Sequence, residues 1–478
     1  MALSLQDVFV AVLLIGFLLL IANVIRAKVK LFRSLFLPGS IIAGVLALLL
    51  GPQILGNLAE WLGIDALGAG LFPATALEAW RGLPGILINV VFAALFLGSR
   101  IPGIREIWYR AGPQVVIGQT MAWGQYVVGI ILALLVLTPL FGLPPMAGAL
   151  IEIGFEGGHG TAAGMAETFA ELGFPEGADL ALGLATIGLV SGVILGTILI
   201  NWAARRGDID LSAELDQAKA APLSKAEIKQ AEQDKRLEQS ATDPLSLHLG
   251  LVAIAIGIGW LLHQALIWLE AATLQQAGMP ALMRHVPLFP LAMLGGVFLQ
   301  IAIDRAGLGE HVSRRIMSRI SGTALDFTIV AALATLSLMA LGEHLVPFLL
   351  LALTGILWSL FCVIVLAPRL IPFNWFERGI GDFGQSMGVT VTGILLMRMA
   401  DPQNRSGALQ SFGYKQLLFE PVVGGGLFTA ASLPLIVQFG PVAVLLFTAF
   451  IMTAWLIFGF LYFGPMAKEE RSKQRAGP

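Results

Sequence analysis

Long apolar stretches alternate along this chain with short polar joints. They fall at 5–25, 35–51, 83–99, 113–141, 178–203, 246–270, 286–303, 323–341, 345–367, 411–437 and 439–464. A helix needs about 20 apolar residues to cross the hydrocarbon core of a bilayer, so each stretch predicts a membrane span. Two further segments, 145–172 and 374–400, are apolar but broken by glycine and polar residues. Their pattern fits neither a clean span nor a soluble loop.

Composition sharpens this picture. Of 478 residues, 57% are hydrophobic and 13% charged, against about 25% charged in soluble domains. The chain reads as an all-α polytopic membrane protein. Its net charge of −2 points to no nucleic-acid partner; its apolar spans imply membrane lipid around it. The single cysteine, Cys362, lies in an apolar run and reads as a buried, inert thiol. The first charge is Asp7, and Arg26, Lys28, Lys30 and Arg33 follow the first apolar run. A cleavable signal peptide would begin with basic residues, so a retained helix is expected.

Lys and Arg concentrate in cytoplasmic loops, which tests the two broken segments. If each enters and leaves on one side as a re-entrant hairpin, 27 of the 29 Lys and Arg share a side, Lys415 among them, and only Arg81 and Arg284 lie opposite. If either segment spans once, the bias collapses. The expected topology has two hairpins entering from opposite faces, the N-terminus outside and the C-terminus cytoplasmic. Unpaired backbone groups are costly in lipid, so such segments must be enclosed by protein or line a wet cavity.

Residues 204–245 are the one strongly polar stretch, with a candidate capping box at Ser224–Glu227 opening a short helix to about Gln239. It reads as a solvated tether between two similar halves, 1–203 and 246–437. Ser40-Ile-Ile-Ala-Gly-Val-Leu echoes Leu291-Ala-Met-Leu-Gly-Gly-Val-Phe, Val90-Val-Phe-Ala-Ala-Leu echoes Ile329-Val-Ala-Ala-Leu-Ala, and Thr161-Ala-Ala-Gly-Met echoes Thr390-Val-Thr-Gly-Ile, in the same order. Five spans per half would invert the second half, the architecture of secondary transporters. The span at 438–464 and the tail at 465–478 fall outside the repeat.

The hairpins hold the candidate chemistry. Gly154-Phe-Glu156-Gly-Gly158-His159-Gly160-Thr161 combines glycines that permit close backbone approach with two ionisable groups at membrane depth. Amides at such a tip favour a carboxylate, and the Thr161 hydroxyl suits a small hard cation such as Na+. His159 could contact substrate, relay protons or cap backbone. The second hairpin, Gly381-Asp-Phe-Gly-Gln385-Ser-Met-Gly388-Val-Thr390-Val-Thr392, offers two hydroxyls that would share a side if the tip is extended. Glu152 reads as an interface residue or a site group. Asp382 and Arg398 are expected at the cytoplasmic mouth, Arg398 as a snorkelling side chain. Glu420 reads either as an ion-coupling carboxylate or as an interface residue within a span. No His or Cys accompanies His159 at zinc spacing, and no nucleophile–base spacing supports an enzyme. A channel would gather copies of one filter around an axis, unlike two inverted loops in one chain.

At these residues the sequence resembles the bacterial sodium/glutamate symporter family. The resemblance rests on Gly157-Gly-His-Gly-Thr161, Ala185-Thr-Ile-Gly-Leu-Val-Ser-Gly192, Phe383-Gly-Gln-Ser-Met-Gly388-Val-Thr-Val-Thr392 and Pro38-Gly-Ser-Ile-Ile-Ala-Gly44, across roughly 1–437. It implies sodium-coupled symport of L-glutamate or a related anionic amino acid, two inverted five-span repeats, a homodimer in the bacterial inner membrane, and elevator-type movement. It implies a substrate site at Gly158, His159, Gly160, Thr161, Gly388, Thr390 and Thr392, with Glu156 and Gln385 beside them. Oxygen ligands for Na+ would come from Thr161, Thr390 and Thr392, and Glu420, read from this chain's own residues, is a further possible ligand. Glu156 stands where the family has Ser, Val391 replaces Pro, and Glu420 replaces an apolar residue. Those extra acids leave open a proton- or sodium-coupled carrier of another dicarboxylate or 2-oxoacid.

Overall fold

The computed structural model describes residues 3–35, 37–99, 101, 103–209, 243–273, 275–276, 281–402 and 405–476. The capping box at Ser224–Glu227 lies outside them. Helix follows helix, and no strand occurs among the described residues. Nine helices of the described chain are long and apolar enough to cross a membrane. Their outward faces carry large apolar side chains such as Phe9, Phe17, Trp268, Phe450 and Leu461, as a lipid-facing surface requires.

Local sequence sets the helix ends. Helix α1 (Leu5–Lys28) opens on Ser4, whose hydroxyl accepts from the Asp7 amide while the Asp7 carboxylate accepts from the Ser4 amide. Helix α2 (Gly39–Leu50) ends at Gly51, extended at ψ −178°, as the span expected at 35–51 anticipates, and short helical turns follow from Pro52 to Trp61. Helix α3 (Ala74–Ala93) begins earlier than expected. Helix α4 (Ile104–Phe141) is the longest. Two short helices follow, α5 (Leu150–Phe155) and α6 (Gly158–Gly164). Helix α7 (Glu176–Arg206) ends on Gly207 in the left-handed region, with Arg205 and Arg206 at the negative end of its dipole.

In the second half, α8 (Pro244–Ala272) is capped by Asp243, which accepts from the Leu245 and Ser246 amides. Helix α9 (Phe289–Arg305) has 17 residues, and α10 (Arg314–Ala334) is capped by Ser313. Helix α11 (Leu345–Leu370) leads to α12 (Trp375–Ala400), which breaks at Gly388 and Val389. The stretch 411–437, expected as one span, is instead two helices, α13 (Ala408–Phe419) and α14 (Leu427–Phe439). Glu420-Pro-Val-Val-Gly-Gly-Gly426 separates them. Pro421 lacks an amide hydrogen and Gly424 and Gly425 take positive φ, so a helix cannot run through. Helix α15 (Pro441–Tyr462) and a polar helix α16 (Gly464–Ala476) complete the chain.

The helices form two groups. In one, α2 packs on α10 and α9 on α3, with α1 and α8 at the flanks. Its apolar contacts include Ile15, Ala43, Trp80 and Val330 on one side and Ala255, Ala292 and Met317 on the other. The largest apolar core, with Tyr126, Phe155, Phe383 and Phe419, centres on the second group, around α4, α7, α11 and α12, and continues into the first through Phe92, Phe289 and Ala332. The interruptions between α5 and α6, within α12 and between α13 and α14 belong to this second group. Two of them, at α5–α6 and within α12, fall in the segments 145–172 and 374–400.

Candidate functional site

The first interruption is Glu156-Gly157, followed by Gly158 at φ 69°. There a side chain would be strained, and a Cβ would sit 2.4 Å from Val389 Cγ1. Gly158 therefore lets the first break touch the second. Within α12 the two limbs run back along each other: a Cβ on Gly384 would lie 2.7 Å from the Gly393 Cα, and one on Gly381 would lie 2.5 Å from Met397 Sδ. Val389 at the tip has φ 58°, an uncommon conformation for a β-branched residue. Ser386 Oγ donates to Glu156 Oε1 at 2.5 Å. Glu156 Oε2 is buried and makes no hydrogen bond among the described residues.

The third interruption, 420–426, closes on both others. Thr390 Oγ1 donates to Glu420 Oε1 at 2.8 Å. A Cβ on Gly425 would lie 2.7 Å from Thr161 Oγ1. Glu152, fully buried, accepts from the Gly424 amide at 2.7 Å, Thr429 Oγ1 at 2.8 Å and Tyr126 Oη at 2.5 Å. This carboxylate fastens the loop to α4 and α14.

Between the breaks and the first helix group lies a cavity of about 460 Å³. The broken segments contribute Glu156, His159, Gly160, Thr161, Gly388, Thr390, Thr392 and Glu420 to its wall; Ile88, Phe92, Leu325 and Asp326 face them from α3 and α10. His159 Nε2 lies 2.9 Å from Thr186 Oγ1. Thr186 donates its own hydrogen to the Leu182 carbonyl, so His159 is the donor and its Nδ1 keeps a lone pair. Thr161 Oγ1 is buried with no partner among the described residues. Thr392 donates to the Gly388 carbonyl at 2.6 Å, which leaves only its oxygen lone pairs for a ligand. No cluster of three or more His, Cys, Asp or Glu suited to a resident metal occurs among the described residues.

Several sequence expectations change here. Gln385 is not on the cavity wall; it is buried behind it, bonded to Lys415 and Gln416. Asp382 is fully buried, not at a mouth, and Glu152 is buried, not interfacial. Lys415, counted among loop cations, is 1% exposed and paired with Asp382 at 2.8 Å. Neither signal was local: the partners are 33 residues apart, and only the packing of α13 on α12 joins them. Glu420 sits at a break, not inside a span. Arg398 is exposed, as a snorkelling residue would be. Asp326 escaped notice because nothing in α10 breaks the helical pattern around it.

Sequence comparison with known proteins points to one family. A family model described as sodium/glutamate symporter matches residues 85–400. Two curated proteins named sodium/glutamate symporter, from Escherichia coli (strain K12) and Shigella flexneri, are each 24% identical over 405 residues, covering 80% of this chain and 92% of theirs. A solved sodium proton antiporter from Methanocaldococcus jannaschii aligns over 94% of this chain and 99% of its own, at 15% identity and a TM-score of 0.34.

Proposed function

We propose, since the chain belongs to the sodium/glutamate symporter family, that it is a secondary carrier moving L-glutamate or a close anionic amino acid together with Na+. The observation that supports this reading best is the meeting of three broken helices on one cavity lined by His159, Thr161, Thr390, Glu156 and Glu420. Broken backbone at membrane depth is a feature of transporter ligand sites. The donor set also fits. Thr161 Oγ1 and Glu156 Oε2 are buried oxygens with no partner among the described residues, and the Glu420–Thr390 pair adds more oxygen ligands of the kind Na+ takes. The His159 Nδ1 lone pair suits the ammonium of an amino acid. Amides at the second tip suit its carboxylate.

In this reading the two halves are inverted repeats, and 145–172 and 374–400 are re-entrant hairpins. The N-terminus faces outward from the bacterial inner membrane, and the carrier is a homodimer. The helix group that holds the breaks slides against the other group, carrying the cavity from one face to the other. The smallness of Gly160 and Gly164, which pack against Ile88 of α3, favours such a sliding surface.

Radiolabelled L-glutamate uptake into proteoliposomes tests the proposal, with an inward Na+ gradient in one arm and K+ on both sides in the other. Accumulation is expected only with Na+. Folded protein that accumulates nothing in either arm would sink the glutamate assignment. A second reading, a proton-coupled carrier of another dicarboxylate, is favoured by the three carboxylates on the wall, Glu156, Asp326 and Glu420. It predicts uptake driven by a pH gradient without Na+.

A further inference from the structure

Lys415 is the one buried lysine among the described residues, and the cavity does not use it directly. Its Nζ donates to Asp382 Oδ1 and to Gln385 Oε1, each at 2.8 Å. The ring of Phe419 lies 4.1 Å away and that of Phe412 5.2 Å, close enough for cation–π attraction. The ammonium packs directly against Gly118, where a Cβ would lie 2.6 Å from Nζ and 2.3 Å from Cε and would displace it from this position. The second oxygen of Asp382 is buried with no partner among the described residues. A carboxylate, a carboxamide oxygen and aromatic faces make a cage for a monovalent cation.

Stability alone is a poor reason for such a pair, because desolvating two charges offsets much of their attraction. Its place is informative. Gln385 lies three residues before the break at Gly388, and Lys415 five before Glu420. A chain of hydrogen bonds runs from Gln385 to Gln416, from Gln416 to Thr390 at 3.2 Å, and from Thr390 to Glu420. The ammonium therefore clamps α13 to the first limb of α12, next to the groups on the cavity wall.

We propose that Lys415 is a tethered cation: its ammonium fills an oxygen-lined site of Asp382 and Gln385 that would otherwise take Na+ to hold the second and third breaks together. The inference rests on the reading of the chain as a cation-coupled carrier, and it implies one fewer free cation at this position. Removing the amine should convert the cage into a site for a dissolved cation.

The test is thermal unfolding of the purified full chain in NaCl against choline chloride at equal ionic strength, and again with ethylammonium chloride. Lys415→Ala should show a Na+-dependent rise in midpoint about 2–4 °C larger than the wild type at saturating Na+. Ethylammonium should also raise it, by restoring the missing amine. Lys415→Gln, which keeps a donor toward Asp382, carries the same Na+ measurement if the alanine variant does not fold. Adding Asp382→Asn to Lys415→Ala, or to Lys415→Gln where that variant is used, should erase the extra shift. Variant shifts equal to the wild type's, or an extra shift that survives loss of the carboxylate, would overturn the proposal. A wild-type midpoint indifferent to Na+ would count against the coupling-ion reading and not this one, which is read from the difference between variant and wild type.

Discussion

At the scale of single residues, the site divides into groups that face the cavity and groups that hold those in place. Thr161 and Thr390 belong to the first kind. Thr161→Ala removes a buried oxygen with no partner among the described residues, so uptake should need about tenfold more Na+ for half-maximal rate, about 1.4 kcal/mol. Thr390→Ser should stay near wild type while Thr390→Ala does not, because the hydroxyl bond to Glu420 is what matters. Sodium titrations of uptake separate these outcomes; an unchanged sodium requirement in Thr161→Ala would remove it from the ion site. Tyr126 is of the second kind. Tyr126→Phe deletes the shortest of three donors to Glu152 and should lower stability by about 1.5–3 kcal/mol, read as a fall in unfolding midpoint. Residues like Thr161 and His159 were legible in the sequence because they stand beside glycines in an otherwise apolar chain. Lys415 and Asp382 were not, because a charge looks the same in sequence whether it faces water or a partner 33 residues away.

At the scale of elements, helix interruption is the motif, and three interruptions build the site. Two were legible: their glycines and charges cluster densely enough to outweigh the apolar background. The third was hidden, because Val422, Val423 and Leu427 keep 411–437 apolar on average while Pro421 and three glycines break it. Local backbone chemistry won over mean hydropathy. That loop should be intolerant of side chains where it meets the first break. At Gly425, φ is 98° and a Cβ would lie 2.6 Å from Phe92 Cζ and 2.7 Å from Thr161 Oγ1. Gly425→Ala should therefore reduce uptake more than tenfold in protein that still reaches the membrane. Gly413→Ala is the matched control, since nothing lies within 4 Å of its added methyl and uptake should hold. Equal uptake by both variants would show that the third break is not part of the working site.

At the scale of the whole molecule, the question is whether the two helix groups move as bodies. Their partition was only partly legible: the internal echoes in the sequence pair α2 with α9 and α3 with α10, but they do not say which helices travel together. The packing does suggest a dividing surface, with α3 and α10 on one side and α6 on the other. Gly164 on α6 meets Ile88 on α3 so closely that an added Cβ would lie 3.3 Å from the Ile88 Cβ, just under the usual disulfide separation of about 3.5–4.5 Å. Ile88→Cys with Gly164→Cys, in a background where buried Cys362 is replaced, should therefore cross-link under mild oxidation. If the broken-helix group slides, the oxidised pair holds the cavity at one face: uptake should fall to background and return when the bond is reduced. Substrate binding to the trapped form should persist, because neither cysteine replaces a ligand-facing hydroxyl or carboxylate. Full cross-linking with undiminished uptake would mean that transport needs no movement along this surface, and gating by the hairpin tips alone would have to replace it.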